Sequence, residues 1–254
     1  MSDKILLALL LGVLPAAASS GDGVPLAAAE KPRIAVVIDD FGLNYATTPK
    51  DEAWMAIGFP ITFAVMPESP RTKAAAQAVK SAGHELIIHF PFDPFLSLDL
   101  PKDRVSGSDL DKVRKLLAKC FRDIPGPAGI NTHRSYKATM NRPLMAAFMA
   151  EIKPQGVYFL DSKAAPKSAA YDEARKAGLR WAANDFFLEE PGHYNDAAFC
   201  AKMLRRAAAL ARKRGSAMAI GHHYYRGTLQ CVETEVPKLQ AEGFEFVFAS
   251  ALLK

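Results

Sequence analysis

Short apolar runs rich in Val, Ile and Phe alternate along most of the chain with longer segments of helical periodicity. The apolar runs predict eight strands, at residues 33–38, 61–65, 85–89, 129–131, 157–160, 179–182, 217–220 and 245–248. The segments between them predict helices that include residues 71–82, 110–120, 142–151, 168–177, 197–214 and 232–242. Four of these helices have a glycine at or just past their end, which is the residue favoured at a helix C-terminus.

The alternation of strands and helices indicates the fold class. Strands that are apolar along nearly their whole length are typical of a parallel sheet covered by helices, which is an α/β fold. About eight strand–helix repeats favour a (β/α) barrel, with an open doubly wound sheet as the alternative. We therefore predict one barrel domain over residues 31–254.

The first thirty residues have a different pattern. Lys4 precedes an unbroken apolar run over residues 5–14, and Pro15 and five small residues follow that run. This order is typical of an export signal, and the apolar run is shorter than the roughly 20 residues that a spanning helix needs. We predict a signal peptide cleaved between Ala16 and Ser20, a short linker up to Glu30, and a periplasmic or extracellular protein. An uncleaved N-terminal anchor is the alternative.

Composition limits the function classes. The chain has 254 residues, of which 50% are hydrophobic and 23% charged, and this excludes a disordered or coiled-coil protein. The net charge of +5 is too small to predict a nucleic-acid partner. No segment after the first thirty residues is apolar enough to predict an integral membrane domain.

The three cysteines, Cys120, Cys200 and Cys231, show no C-x-x-C spacing, so the sequence predicts neither a zinc ribbon nor a redox motif. Two of them lie in segments of helical pattern, where a buried thiol is the more common state. We therefore expect free buried thiols, and a disulfide between one pair remains the alternative in an exported protein.

Polar residues with catalytic chemistry stand where the predicted strands end. They are Asp39, Asp40, His89, His133, Asp161, Asp185, His222 and His223. Because the carboxyl ends of parallel barrel strands meet at one rim, we expect these side chains to share one face of the molecule. His84 and His193 have other surroundings, since His84 follows a predicted helix and His193 lies in a Pro/Gly loop.

The adjacent carboxylates Asp39 and Asp40 would repel each other unless a cation or a shared proton relieves them. One interpretation is a helix cap beside a solvated acid, and the other is a metal ligand beside a general base. One carboxylate with two imidazoles, leaving a position for water, is a known catalytic zinc shell. The rim therefore predicts a metal site in which His89 and His133 are candidate ligands.

Five short stretches together resemble the divergent polysaccharide deacetylase family, a branch of the carbohydrate esterases. They are Ile-Asp-Asp-Phe-Gly at 38–42, Gly-His-Glu-Leu-Ile-Ile-His at 83–89, Gly-Ile-Asn-Thr-His at 129–133, Phe-Leu-Asp-Ser at 159–162 and Ala-Ile-Gly-His at 219–222. The resemblance runs from Pro32 to the C-terminus. It implies the deformed (β/α) barrel of NodB, glycoside hydrolase/deacetylase type, and hydrolysis of acetyl groups on a glycan.

The resemblance also implies a ligand set. In the wider superfamily the second Asp of the pair and two histidines hold zinc, which corresponds here to Asp40 and His89. The position of the second histidine of that motif holds Asp93, and the divergent branch is similar in lacking it. That branch has a histidine after Gly-Ile-Asn instead, which makes His133 the third ligand. Zinc is the expected metal, with cobalt, nickel or iron as alternatives.

The catalytic roles follow from the same resemblance. Asp39 corresponds to the general base, and His222, in the late Gly-His motif, to the general acid. Asp161 is expected to orient His222 or to line the pocket. The chain departs from its branch at Arg134 and His223, where other members have different residues.

Two classes of function therefore remain. The first is an exported, metal-dependent hydrolase that removes acetyl groups from a polysaccharide or cell-wall glycan. The second is a barrel that retains the fold and binds glycan or an envelope partner without turnover. A metal phosphoesterase is disfavoured because no glycine-rich phosphate loop follows any predicted strand. The sequence does not indicate the oligomeric state.

Overall fold

The computed structural model describes residues 30–46 and 48–254. The predicted signal peptide and all of the predicted linker except Glu30 lie outside the described residues. Residues Lys31–Lys254 form one compact unit.

In the described residues, nine strands and eight helices follow one another in near-strict alternation. The strands are β1 (Arg33–Phe41), β2 (Thr62–Val65), β3 (Glu85–Pro91), β4 (Gly129–His133), β5 (Tyr158–Asp161), β6 (Trp181–Ala183), β7 (Phe186–Phe187), β8 (Ser216–His222) and β9 (Glu245–Val247). The helices are α1 (Asp51–Met55), α2 (Thr72–Ser81), α3 (Gly107–Asp123), α4 (Tyr136–Met140), α5 (Arg142–Ile152), α6 (Ala170–Lys176), α7 (Ala197–Arg214) and α8 (Arg226–Ala241). Two short 3-10 helices lie at Lys153–Gln155 and Ala249–Leu252.

All strand pairs are parallel, and the order across the sheet is β6-β5-β4-β3-β2-β1-β8-β7, with β9 beside the start of β1. The two outermost strands, β6 and β7, are separated by only two residues. The amide of Asn184 donates to Asp161 O on β5, and the amide of Asp185 donates to Met218 O on β8. The chain therefore passes from one edge of the sheet to the other, and the sheet curls into a deformed barrel. This confirms the predicted fold class.

Alternate residues of each strand face the two sides of the curled sheet. On β1, Ile34, Val36 and Ile38 join the core between the sheet and its helices, whereas Ala35 and Val37 join a separate interior cluster. The interior cluster consists of Ala35, Val37, Ala64, Ile87, Tyr158, Leu160, Ala182, Met218, Ile220 and Ala249. This alternation determines which polar residues at the strand ends face the barrel interior.

Three short elements escaped the sequence analysis, namely α1, α4 and β7. None is longer than five residues. A periodicity needs a longer segment to be recognised, and these elements form because the rest of the barrel holds them.

The expectation of free thiols is wrong for two of the three cysteines. Cys200 on α7 and Cys231 on α8 form a disulfide, with Cα atoms 6.0 Å apart, and Cys120 is a buried free thiol. The two helices are neighbours in space, although 31 residues separate the two cysteines. Sequence spacing could not reveal that the cysteines face each other.

The described helices also lack the features of membrane-spanning segments. None of them combines the length with the apolar character that crossing a bilayer requires.

Candidate metal centre

Three predicted ligands converge at the carboxyl ends of β1, β3 and β4. On β3, His89 lies two residues after the interior residue Ile87, so it too faces the barrel interior. On β4, His133 faces the same side of the sheet as Gly129 and Asn131, the alternate residues before it. Asp40 would face outward in a regular strand, but its φ of 63° lies in the left-handed region, which turns the chain at this point. Because of this turn, both adjacent carboxylates, Asp39 and Asp40, can serve the same site.

The ligand atoms lie close together. Asp40 Oδ1 is 2.6 Å from His133 Nδ1 and 3.1 Å from His89 Nε2, and the two imidazole nitrogens are 3.1 Å apart. All three ligand atoms lie within 4.8 Å of one another, and the three residues are buried. One carboxylate oxygen and two imidazole nitrogens directed at a common point form a donor set that suits zinc. The residues therefore fit the metal that the resemblance implies.

Asn131, which the sequence analysis did not assign a role, orients this donor set. Its Nδ2 donates to Asp39 Oδ1 at 2.7 Å, so its Oδ1 is left to accept from His89 Nδ1 at 2.6 Å. A proton held on Nδ1 leaves the lone pair of His89 on Nε2, the atom that faces the other ligands. Asn131 lies two residues before His133 on β4, so both side chains face the same side of the sheet. That spacing is the sequence signal that could have identified the role of Asn131.

The two adjacent carboxylates have opposite shifts in pKa. Burial raises the pKa of Asp39, and His89 Nε2 is 3.7 Å from its Oδ2. Burial acts on Asp40 in the same direction, but hydrogen bonds from His133 and His89 outweigh it and hold the pKa of Asp40 well below its ordinary value. Asp40 is thus suited to remain an anionic ligand, while Asp39 is the more basic of the two carboxylates.

His222 lies on the inner face at the end of β8, where it pairs in register with Asp39. Its Nδ1 is 3.0 Å from Glu189 Oε2, and its backbone amide donates to Glu189 Oε1 at 3.1 Å. Burial alone would lower the pKa of His222, yet the hydrogen bond and the charge of Glu189 raise it to about 9. The buried carboxylate of Glu189 therefore orients the imidazole of His222 and favours its protonated, positively charged form.

The expectation that Asp161 orients His222 is wrong, because Glu189 occupies that position. Leu160 faces the barrel interior, so Asp161, its neighbour on β5, faces away from it. The carboxylate of Asp161 accepts from the Lys163 amide at 2.8 Å and from Ser168 Oγ at 2.8 Å. It ties the loop after β5 to the start of α6.

Two other strand-end residues lie outside the metal centre. Asp185 stands opposite the middle of β8, where it accepts from the Met218 amide at 2.9 Å and pairs with Arg214. His223 has the outward parity; its Nε2 is 2.9 Å from Leu43 O, and its carbonyl accepts from Trp54 Nε1 at 3.0 Å. Burial lowers the pKa of His223 to about 4, which is consistent with a structural role.

Asp93, at the position of the missing histidine, is a helix cap. Its two carboxylate oxygens accept from the backbone amides of Lys137 and Ala138, at 3.2 and 2.8 Å. The carboxylate holds α4 close behind the ligand His133. Of the remaining histidines, the amide of His84 donates to Val79 O at the end of α2, and His193 is exposed beside Asp196, as the sequence predicted.

A row of four tyrosine rings borders the site. The row runs from Tyr45 through Tyr224 and Tyr225 to Tyr194, with ring centroids 5.2, 4.5 and 5.6 Å apart. The two end members are about half exposed, and the ring of His222 lies 5.7 Å from Tyr224. We call these four residues the tyrosine row. The tyrosine row could not be predicted from the sequence, because its members come from three separate loops.

Comparison with known proteins agrees with this geometry. The model of the divergent polysaccharide deacetylase family matches residues 36–253. The chain belongs to this family. It is 30% identical over 223 residues to the uncharacterized protein YibQ of Escherichia coli K12, and the match covers 87% of this chain and 67% of YibQ.

Solved structures of other proteins share the fold. The uncharacterized protein ATU2773 of Agrobacterium tumefaciens C58 superposes with a TM-score of 0.70 at 17% identity, covering 90% of this chain and 92% of that one. The peptidoglycan N-acetylglucosamine deacetylase Bc1960 superposes with a TM-score of 0.53 at 13% identity, covering 87% of each chain. At these identities the superpositions show that the chain has the NodB-like deacetylase fold.

Proposed function

We propose that this protein is a metal-dependent deacetylase that removes acetyl groups from a glycan. The observation that carries the proposal is the convergence of Asp40, His89 and His133 beside a second carboxylate, Asp39, and an imidazole, His222. Membership of the deacetylase family and the NodB-like fold support the reaction class.

The residues divide the chemistry between them. Asp40, His89 and His133 would hold a divalent metal, zinc by the chemistry of the donor set, which when bound would supply an electrophile and lower the pKa of a bound water toward 7. Asp39, whose pKa is raised by burial, accepts the proton of the attacking water. His222 donates a proton to the leaving amine or alcohol, and Glu189 keeps it protonated and oriented. Asn131 holds Asp39 and His89 in place.

The tyrosine row supports a carbohydrate substrate. Exposed aromatic rings offer flat apolar surfaces, and the apolar faces of sugar rings pack against such surfaces. Tyr45 and Tyr194 are exposed to 54% and 55%, although both are large side chains with apolar rings. We propose that sugar units of the glycan lie along this row, next to the general acid His222.

We further propose that the protein is exported. The N-terminal pattern of a charged residue, an apolar run and small residues supports this proposal, and so does the disulfide between Cys200 and Cys231, since disulfides persist in oxidising compartments. The test is fractionation of cells that express the full chain with a C-terminal tag, with N-terminal sequencing of the product. A tagged product confined to the cytoplasm contradicts export.

The proposed function is tested by metal content and acetate release together. The full-length protein, supplied with zinc and then dialysed, is expected to hold about one metal per chain by elemental mass spectrometry. The variant Asp40→Ala/His89→Ala is expected to hold none, and His193→Ala, which alters an exposed histidine outside the site, is expected to keep it. Acetate release from acetylated glycans is expected from the proteins that hold metal and not from the Asp40→Ala/His89→Ala variant.

Either of two results would overturn the proposal. A wild-type protein that holds no metal even with added zinc would favour the alternative, a barrel that binds glycan without turnover. A metal-loaded protein that releases no acetate from any acetylated glycan of a broad panel would favour that alternative as well.

A further inference from the structure

Two loops at the rim of the barrel are basic. The loop after β4 together with α4, residues 134–141, contains Arg134 and Lys137, and the loop after β5, residues 162–169, contains Lys163 and Lys167. Neither segment contains an acidic residue. We call these two segments the basic loops. They begin directly after β4, which supplies the metal ligand His133, and after its neighbour β5.

Arg134 and Lys163 occupy equivalent positions on these loops. In the parallel register Asn131 pairs with Leu160, and each of the two cations lies three residues further along its own strand. Ser162 Oγ donates to Thr132 O at 3.1 Å, which holds the two chains together beyond the last ladder pair. Arg134 and Lys163 therefore leave the rim side by side.

Both cations also share an unusual backbone conformation. Their φ values are 52° and 53°, in the left-handed region that side chains with a Cβ rarely adopt. Each is exposed, and each follows a residue that is buried. The two turns expose two long cationic side chains just beyond the carboxyl ends of neighbouring strands, in a backbone conformation that the surrounding structure must stabilise.

Neither cation has an acidic partner within the described part of the chain. Two acids at this rim, Asp93 and Asp161, are already engaged by backbone amides. Asp93 accepts from Lys137 N and Ala138 N, and Asp161 accepts from Lys163 N and Tyr171 N. The positive charge of the basic loops is therefore available to a ligand.

The position of the basic loops relative to the tyrosine row restricts the ligand. The tyrosine row follows β1, β7 and β8, while the basic loops follow β4 and β5, and the ligands Asp40, His89 and His133 come from β1, β3 and β4 at the same rim. A sugar chain that packs on the row can cross the metal centre and reach the basic loops. Arginine and lysine at the far side select for negative charge.

We propose that Arg134 and Lys163 bind an anionic substituent, a carboxylate or a phosphate, on a sugar unit next to the one that carries the acetyl group. The inference rests on the proposed function and refines it, since it assigns the substrate to acetylated glycans that are negatively charged. The guanidinium of Arg134 can hold either anion through two parallel hydrogen bonds, and Lys163 adds a second charge.

Binding tests the inference without depending on turnover. The full-length protein carrying Asp39→Asn, which keeps the metal ligands, is titrated calorimetrically with three acetylated hexosamine oligosaccharides of equal length. One is neutral, one alternates with a uronic acid, and one carries a phosphate. We expect at least one anionic oligosaccharide to bind about tenfold more tightly than the neutral one.

Matched variants made in the Asp39→Asn protein test whether Arg134 and Lys163 cause the preference for anionic oligosaccharides. Arg134→Gln/Lys163→Gln should abolish the preference and leave the affinity for the neutral oligosaccharide and the metal content unchanged. Arg180→Gln/Lys213→Gln removes the same two charges from exposed residues at the amino ends of β6 and β8, at the opposite end of the barrel, and should keep the preference. The anionic oligosaccharide that binds more tightly shows whether the source is a carboxylate or a phosphate.

Three results overturn the inference: equal binding of neutral and anionic oligosaccharides, binding of none of them, or a preference that persists in Arg134→Gln/Lys163→Gln. These results are distinct from failure of the proposed function. Absence of acetate release by the metal-loaded wild type would overturn the catalytic proposal, whereas the charge preference in binding would still stand.

Discussion

Asp39 and Asp40 are chemically identical and adjacent, yet the fold gives them different environments. Asp40 receives two imidazole contacts at 2.6 and 3.1 Å, which stabilise its charged form. Asp39 is buried with a single hydrogen bond from Asn131, so its pKa is raised. A difference of environment between two such neighbours is the usual way in which a ligand and a general base are separated.

The first prediction concerns Asp39. Asp39→Asn removes the proton acceptor and keeps the size of the side chain, so acetate release should fall by a factor of about 10² to 10⁴. Metal content, measured by elemental mass spectrometry, should stay at the wild-type level because Asp39 is not one of the three converging ligands. A variant that retains activity would place the base elsewhere.

The second prediction concerns Glu189 and is read from a pH profile. Since Glu189 raises the pKa of His222 to about 9, wild-type kcat/KM should fall as the pH rises through about 9, where His222 loses the proton that it donates. In Glu189→Gln the pKa of His222 should drop, and the fall should begin at a lower pH. Glu190→Gln, at the exposed neighbouring position, should leave the profile unchanged. An unshifted profile in Glu189→Gln would show that this carboxylate does not tune the acid.

At the scale of elements, strand parity explains which predicted residues reach the site. His89 and His222 share the interior parity of Ile87 and Ile220, and both face the centre. Asp161 follows the interior residue Leu160 and faces outward, where it serves the loop before α6. The strands and their approximate bounds could be predicted from apolar runs. The alternation of side chains along the same runs also distinguishes His89 and His222, which face the interior, from Asp161, which faces outward.

Loops were less predictable than strands. Glu189 and Tyr194 lie between β7 and α7, in a segment with no periodicity, and the short strand β7 before it has two residues. Their contact with His222 and Tyr225 depends on the path of that loop across the rim. No pattern along the sequence reports such a path, because the interactions that determine it join distant parts of the chain.

The third prediction concerns the tyrosine row. Tyr194→Ala should raise KM for an oligosaccharide of several sugar units about fivefold, since one aromatic contact contributes about 1 kcal/mol, and should leave kcat nearly unchanged. Tyr194→Phe retains the ring and should behave as the wild type. KM for a single acetylated sugar should be unaffected if that sugar occupies only the metal centre. An equal loss on short and long substrates would argue against binding of the chain along the row.

At the scale of the whole molecule, barrel closure brings the functional groups together. The chain crosses between the sheet edges at Asn184 and Asp185, and Glu189 follows this crossing directly. Closure places β8, which carries His222, between β1 and β7. His222 can therefore face Asp39 and Asp40, which lie some 180 positions earlier in the sequence.

The fourth prediction concerns the disulfide between α7 and α8. A cross-link that closes a loop of this length, with its cysteines 31 positions apart, stabilises the folded state by roughly 3–4 kcal/mol in the chain-entropy account. Cys200→Ser/Cys231→Ser should therefore lower the Tm by on the order of 10 °C in thermal unfolding. A reducing agent should lower the Tm of the wild type by a similar amount and leave the double variant unchanged. Cys120→Ser serves as the control without a disulfide.

The fold class, most strand positions and the candidate metal ligands could be predicted from the sequence alone. These features depend on local periodicity and on residue chemistry, and both can be read along the chain. Three other features became apparent only in the folded barrel: Glu189 rather than Asp161 contacts His222, Cys200 is bonded to Cys231, and four tyrosines form a row. Each of these contacts joins residues that are far apart in the sequence, so no local pattern reports it, and the packing of strands, helices and loops in the folded barrel brings the residues together.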